Sequence, residues 1–473
     1  MLLTIWLEIH VKLKSVNKMF CQCKNEQNFD SLQPNTNICP VCTWQPGALP
    51  TLSKEVLEQA LLLGKSLHCT INEVSKFDRK SYFYPDLPMG YQITQFYQPT
   101  NTKGEVKFFL DNYTAEKTVH ITEAHMECDT AKMIHVGGEA LLDFNRAGTP
   151  LVEIVTNPDF TSVDEVIEFL KEIQRILRYN NISDADMEKW QMRCDVNISL
   201  RKDAKAPLGI RTETKNINSF GMIKRAIEFE QARQEKIYAD GWTIDQETRG
   251  RDDAKGESTT LRSKEDALDY RYFPEPDMPE LRLNDETMKR LNEQAVEIPY
   301  DTIKTFRDFG FNKEYINALI NDKEILQYFN YFVTEKKNDP KTVAKWICWP
   351  IIAWLNQNMK HISDLPFTQD MFTTFLTSTL PDSQLKLVMD EMLATGKDPD
   401  TIIKEKWFDA PAVDEGELEN ICKQVIEENV NIVEQYKKGK LTVMWFFVGQ
   451  AMKKTWGKAN PQQLQEIFEK LLK

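Results

Sequence analysis

The stretch Leu7-Glu8-Ile9-His10-Val11-Lys12-Leu13 decides how the chain is read. Leu7, Ile9, Val11 and Leu13 alternate with Glu8, His10 and Lys12, a period of two that predicts a strand with one apolar and one polar face. The alternation recurs at 192–201. There Met192, Cys194, Val196, Ile198 and Leu200 form one face, and Arg193, Asp195, Asn197, Ser199 and Arg201 the other. Between these stretches, Ser162-Val163-Asp164-Glu165 reads as a capping box opening a helix through about Tyr179. Val166, Ile167, Leu170, Ile173 and Leu177 supply its apolar stripe. Strands polar on one face, joined by such helices, predict an α+β body with antiparallel-type pairing. The proline-rich run from Tyr272 to Pro279 closes the strand-rich part, and after about 295 the pattern is helical. Breaks at Glu297-Ile298-Pro299 and around 395–412 divide the chain into three expected domains. These are an α+β domain (1–294), a helical domain (295–400) and a small basic α-helical tail (401–473).

The 473 residues are 41% hydrophobic, enough for a sizeable core. A net charge of −13 excludes a uniformly basic nucleic-acid coat but leaves room for a local patch. From Lys437 onward eight lysines stand against Glu466 and Glu469, which suits either a phosphate-rich partner or a solvated lysine face. No apolar run is long enough to cross a membrane. Glu8, His10 and Lys12 break any signal-peptide core, so a cytoplasmic protein is expected.

Two groups of residues carry chemistry. Cys21, Cys23, Cys39 and Cys42 have the spacing of a closed, tetrahedral structural zinc site within 21–42. The alternative is four unrelated buried cysteines. Such knuckles turn tightly after the second thiolate pair, where glycine is favoured, yet the text reads Cys42-Thr43-Trp44. The second group lies on the polar strand faces: Glu8 with His10, then His125, Glu127 and Asp129. Glu153 joins them from inside the apolar run LVEIV, where a carboxylate needs a partner, a proton or a metal. Carboxylates with a histidine suit Mg²⁺, and Lys80, Arg193, Arg211 and Lys215 are suited to phosphate charge, the equipment of phosphoryl transfer. The alternative is that each polar face is simply solvated. There is no G-x-x-x-x-G-K-[ST] and no G-x-G-x-x-G, so any ATP chemistry must use a fold without a P-loop.

These motifs make the family recognisable. LEIHVKL (7–13), PNTNICPVC (34–42), KFDRKSYFYPDLPMGYQITQ (76–95), HMECDTAK (125–132) and LLDFNRAGTPLVEIV (141–155) resemble the B subunit of the aspartyl/glutamyl-tRNA amidotransferases. So do RCDVNISL (193–200), TETKNINSF (212–220), DYRYFPEPDMP (269–279), FFVGQAMKKT (446–455) and GKANP (457–461). The resemblance implies a glutamine-synthetase-like cradle domain followed by helical and tail domains. It implies a heterotrimer completed by an amidase-type subunit and a small third subunit. Its reaction would be ATP-dependent activation of Glu or Asp esterified to tRNA(Gln) or tRNA(Asn), followed by amidation with channelled ammonia. Carried over by motif, Mg²⁺ would be held by Glu8, His10, Glu127 and Glu153. Lys80 and Tyr82 fall near the channel mouth, and Lys80, Arg193 and Lys215 toward the ATP phosphates. The catalytic set is then Glu8, His10, Lys80, Tyr82, Glu127, Glu153 and Arg193. Lys453, Lys454 and Lys458 are the tRNA candidates, and the four cysteines hold structural Zn²⁺. Lys12 and Cys128 depart from the family pattern, so Cys128 is left out of the ligand set. The competing reading is a non-catalytic tRNA-docking adaptor.

The resemblance also exposes an oddity. The chain holds 18 Gly and 10 Trp. Trp6, Trp44, Trp190, Trp242, Trp349, Trp407 and Trp445 stand where the family motifs place glycine, and Trp456 is an eighth candidate. A genome that reads UGA as glycine, translated with UGA as tryptophan, would produce this. These side chains are then expected to be strained or pushed outward at turns.

Overall fold

The computed structural model describes residues 1–203, 205–252, 257–263, 269–406, 408, 415–437, 443–455, 459 and 461–472. The chain forms two compact units, Met1–Asp308 and Phe309–Lys473.

The first unit is built on a nine-stranded sheet. Its order is Glu257–Ser263, Glu247–Asp252, Thr212–Ile217, Met192–Arg201, Leu2–Lys12, Pro150–Thr156, Ala115–Cys128, Asn101–Leu110 and Thr70–Ile71. Neighbours pair antiparallel except Thr212–Ile217 with Glu247–Asp252, which run parallel. The strand carrying the opening heptapeptide is thus central, flanked by the 192–201 strand on one side and the LVEIV strand on the other. Its apolar face, with Ile5, Leu7, Ile9 and Val11 fully buried, joins a core with Val166, Phe169, Ile173 and Leu177 of helix Val163–Tyr179 and Ile223 and Ile227 of helix Phe220–Ala239. The Ser162 side chain accepts from Glu165 N as expected of a cap, but the Glu165 carboxylate reaches back one residue further, accepting from Thr161 N at 2.7 Å.

The polar face is not solvated. Glu127 is 1% exposed, Asp195 4% and Asn197 0%. A small three-stranded sheet (Asp78–Ser81, Tyr91–Thr94 and Phe273–Pro274) meets it, Gln92 Nε2 donating to Cys128 O at 2.7 Å. Arg79 clamps that small sheet, with two bonds of 2.7 and 2.8 Å to the buried Glu275 carboxylate.

The first unit extends past the break expected at 294. Pro299 stands at the start of helix Pro299–Asp308 rather than ending an element, a place where its missing N–H costs nothing. That helix is fastened to the sheet by Tyr300 Oη, donating to Glu116 Oε2 at 2.8 Å, and by Tyr300 stacking on Phe109.

The second unit is helical from Lys313–Ile320 to Pro461–Leu471. Asn312, Asp322, Asp339, Thr368 and Asp398 cap its helices through their side chains. Phe332, Phe372, Phe375 and Trp346 are buried together in aromatic contacts, Phe329 meets Phe311, and Phe447, Val448, Leu464 and Phe468 form a separate cluster with Leu418 and Cys422. Residues 309–400 and 401–473 fall in one unit by contact.

The tryptophans in glycine-type positions divide. Trp44 and Trp190 have φ of 53° and 57°, the left-handed region that a bulky side chain adopts only at a cost of roughly 1–2 kcal/mol. Trp190, Trp242, Trp349 and Trp445 stand out into solvent. Trp349 lies in a π-helical turn, Ile347–Ile351, ahead of Pro350. Trp6 departs from expectation, sitting inside the central strand without strain; Trp44 is strained as expected but is not pushed outward, since its ring packs against Phe20 and Tyr91. Trp407 and Trp456 lie outside the described residues, whereas Trp346 is an ordinary core residue.

Candidate active site

Strand register assembles the polar face. His10 pairs with Glu153, which pairs with His125, so the three lie in one row across three strands. Glu127 is two residues further along its strand, opposite Leu151 and Lys12. On the other flank Arg193 stands opposite His10 and Asp195 opposite Glu8.

Two acidic groups result. His10, Glu127 and Glu153 present ligand atoms within 4.8 Å of one another, His10 Nε2 lying 3.3 Å from Glu127 Oε1 and 3.7 Å from Glu153 Oε2. Glu8 does not join them. It gathers with Asp195 and Glu213, again within 4.8 Å, and its Oε1 accepts from Asn197 Nδ2 at 3.1 Å. The four ligands expected for one Mg²⁺ are therefore shared between two neighbouring groups. Asp195 and Glu213 complete the second, and strand alternation at 193–197 was the only sign of the former.

Electrostatics separate the carboxylates. Burial, followed by Glu153 and Glu213, pushes Glu8 up to about 7. Burial opposes charge on Glu153, yet His10, His125 and Lys80 hold it well below the usual range. His125 is likewise disfavoured by burial, but Glu123 and Glu153, each 3.2 Å away, raise it to about 10, so it is a cation at neutral pH. The Glu123 contact is a charge contact, since His125 Nδ1 makes no aligned hydrogen bond.

The cations fall into two kinds. Lys215 is held by Asp195 at 3.1 Å and Glu213 at 2.9 Å. Arg193 lies 3.7 Å from Asp129, and Arg211 donates to Asn197 Oδ1 at 3.3 Å. Lys80, by contrast, makes no ion pair among the described residues. It sits over the Tyr270 ring at 5.2 Å, and although burial works against its charge, Glu127 and Glu153 raise its pKa above normal. Tyr82 follows it in sequence, its Oη 3.4 Å from Gln92 Oε1.

The four cysteines do come together, with all four sulfurs within 4.8 Å. Cys42 Sγ lies 4.0 Å from Cys23 Sγ and accepts from Cys39 N at 3.2 Å. Sequence reasoning missed Lys18, which is fully buried with Nζ 3.6 Å from Cys42 Sγ; nothing in its spacing marks it. The Cys21 thiol, then Lys18, draw the Cys42 thiol down to about 5, while Cys21 and Cys23 are pushed up. The knuckle closes on Trp44, whose left-handed φ is the turn where glycine was expected. The cluster is fastened to the sheet domain by Met19 N donating to Gly148 O at 2.9 Å, where a Cβ on Gly148 would meet Cys42 Cβ at 3.3 Å.

In the second unit Lys453 is exposed at the end of helix Met444–Lys454, and Lys454 pairs with Glu428. Lys458 lies outside the described residues.

Fold and site together define a multi-domain α+β chain that carries a buried carboxylate face. Comparison with known proteins gives it a family. Residues 3–289 match the GatB/GatE catalytic domain and residues 327–472 the GatB domain. The B subunit of the aspartyl/glutamyl-tRNA(Asn/Gln) amidotransferase of Persephonella marina is 40% identical over 99% of both chains. The proteins of the same name from Symbiobacterium thermophilum (40%; 99% of this chain, 97% of the relative) and Elusimicrobium minutum (41%; 99% and 98%) are equally similar. The chain belongs to this family of aspartyl/glutamyl-tRNA(Asn/Gln) amidotransferase B subunits, glutamine-dependent ligases acting on tRNA.

Proposed function

We propose that the polar sheet face activates the side-chain carboxylate of Glu or Asp esterified to tRNA by phosphoryl transfer from ATP, and that ammonia from a glutaminase subunit then displaces the phosphate. The observation that carries this is the His10–Glu127–Glu153 group, whose Glu127 Oε2 is buried without a hydrogen-bond partner among the described residues. Such an orphaned acceptor is costly unless a cation meets it. The hard carboxylate oxygens of Glu127 and Glu153 fit Mg²⁺, with the His10 imidazole as a further donor beside them. A divalent cation bound there would neutralise charge on the transferring phosphoryl group.

The chain's own residues do the rest. His125⁺ holds Glu153 ionised and oriented. Lys215 keeps Asp195 and Glu213 together beside Glu8. Lys80, without a carboxylate partner among the described residues, is placed to meet a phosphate or the reacting carboxylate. Arg193 and Lys215 would have to exchange their carboxylates for a phosphate, so Lys80 is the stronger candidate. Tyr82, beside it, orients the reacting group. The knuckle's four sulfurs, with one thiol depressed, fit a structural Zn²⁺ that pins residues 18–42 to the sheet.

An amidase-type partner, a small third partner, the misacylated tRNA substrates, contact of Lys453, Lys454 and Lys458 with tRNA, and a cytoplasmic location complete the proposal. Among the described residues no helix is long and apolar enough to cross a membrane. Nothing favours a docking adaptor, for which buried, unmatched carboxylates would serve no purpose. Co-expression with the amidase-type and small partners, then assay on Glu-tRNA(Gln) and Asp-tRNA(Asn), tests the reading. Glu127→Gln should abolish ATP-dependent amide formation on both, and unchanged amidation would sink it.

A further inference from the structure

A row of aromatic rings leads outward from Lys80. Tyr82 and Tyr270 have ring centres 5.9 Å apart, and Tyr270 and Tyr272 the same. Tyr272 stacks on Phe96 at 4.0 Å with planes 3° apart, and Phe96 meets Tyr97 at 5.0 Å. Tyr97 Oη donates to Tyr272 O at 3.2 Å, which locks the outer end together. The inner end lies against Lys80, and Glu153 and Glu127 act electrostatically on Tyr272. The outer end is open, with Phe96 48% and Tyr97 59% exposed. Between the two tyrosines of the 270–272 segment, Arg271 is exposed, makes no ion pair among the described residues, and is held at φ 43°. Left-handed backbone at a non-glycine residue stores strain that tends to persist where a side chain must be aimed.

Rings beside an exposed cationic residue are the means by which proteins hold unpaired nucleic acid: bases stack on the rings and the cation meets the backbone. The proposed substrate supplies such a strand at this place. Its reacting amino acid is joined by an ester to the last ribose of a single-stranded 3′ end. Whatever brings that amino acid to Lys80 also brings the last bases within a nucleotide's reach of Tyr272 and Phe96. We propose that Tyr270, Tyr272, Phe96 and Tyr97, with Arg271, form a stacking track for the unpaired 3′-terminal nucleotides of the aminoacyl-tRNA. The track rests on the acyl-tRNA reading above.

The test uses the intact three-subunit complex and a tRNA carrying 2-aminopurine as its 3′-terminal base, whose fluorescence is quenched by stacking. The complex should quench the probe. Phe96→Ala and Tyr97→Ala should relieve the quenching and raise KM for acyl-tRNA roughly 5- to 150-fold, the equivalent of about 1–3 kcal/mol per lost stack, with kcat little changed. Phe96→Tyr and Tyr97→Phe should restore both. Quenching that is undiminished in the alanine variants overturns the track. So does loss of the co-purifying amidase-type partner from those variants, which would make the patch a protein interface. A Glu127→Gln complex keeps the two readings apart. If it is dead in amidation yet quenches the probe normally, both stand; if it amidates normally, the substrate reading fails whatever the probe shows.

Discussion

Glu8→Gln offers a quantitative test of the electrostatics. Burial, Glu153 and Glu213 raise the Glu8 carboxyl from 4.5 to about 7. The folded protein therefore holds this proton more tightly than the unfolded chain, and stability falls as pH rises from 4.5 through 7. The penalty is absent below 4.5 and fully present above 7. At roughly 1.4 kcal/mol per pH unit it amounts to about 3 kcal/mol. Glutamine keeps an oxygen for the Asn197 Nδ2 bond but carries no charge. In EDTA, urea unfolding of the purified chain should find Glu8→Gln more stable by up to about 3 kcal/mol at pH 8 and by under about 1 kcal/mol at pH 5. Saturating Mg²⁺ should shrink or reverse the gap at pH 8, because only the carboxylate gains from the cation. Parallel pH profiles in EDTA, or a variant less stable at pH 8, would refute the reasoning.

Glu275→Ala leaves the half-buried Arg79 guanidinium without its two-bond partner, with only Asp277 at 3.2 Å remaining, and should cost about 1.5–3 kcal/mol, read by chemical denaturation. The chain should carry one zinc by metal analysis. Cys42→Ser or chelation should remove it and open residues 24–38 to protease, and retention of the metal by Cys42→Ser would contradict the four-sulfur site. The coding DNA should show UGA at 6, 44, 190, 242, 349, 407 and 445; UGG there would refute the recoding.

The seven residues from Leu7 to Leu13 already contain the sheet's logic. A strand of strict alternation must bury one face, and a polar face bearing Glu8 and His10 must be used or solvated. Glu153 was visible because a charge inside LVEIV breaks the apolar pattern of its strand. What alternation cannot convey is which strands are neighbours. The pairing of Glu8 with Asp195 and Glu213, rather than with Glu127, depends on 192–201 lying on one side of the central strand and 150–156 on the other. Such non-local pairing leaves no periodic trace. Lys18 is hidden for a similar reason: its partners, Asn37 O, Cys42 Sγ and Phe144 O, come from distant turns. Pro299 opens a helix here, since a proline ends one element as readily as it begins the next.

The central claim is that the buried carboxylates of this face carry phosphoryl transfer to the tRNA-bound amino acid. Its most direct test is release of ADP, the leaving group of the phosphoryl step, from ATP by the reconstituted three-subunit complex, with and without misacylated tRNA. Glutamine is withheld so that the phosphoryl step is read apart from amidation. Misacylated tRNA should stimulate release in the wild-type complex, and Glu127→Gln should lower that stimulated rate by about 10²–10³-fold, as loss of a transition-state charge stabiliser does. The tRNA should still bind. Stimulated release at the wild-type rate from Glu127→Gln would place the chemistry somewhere other than this face.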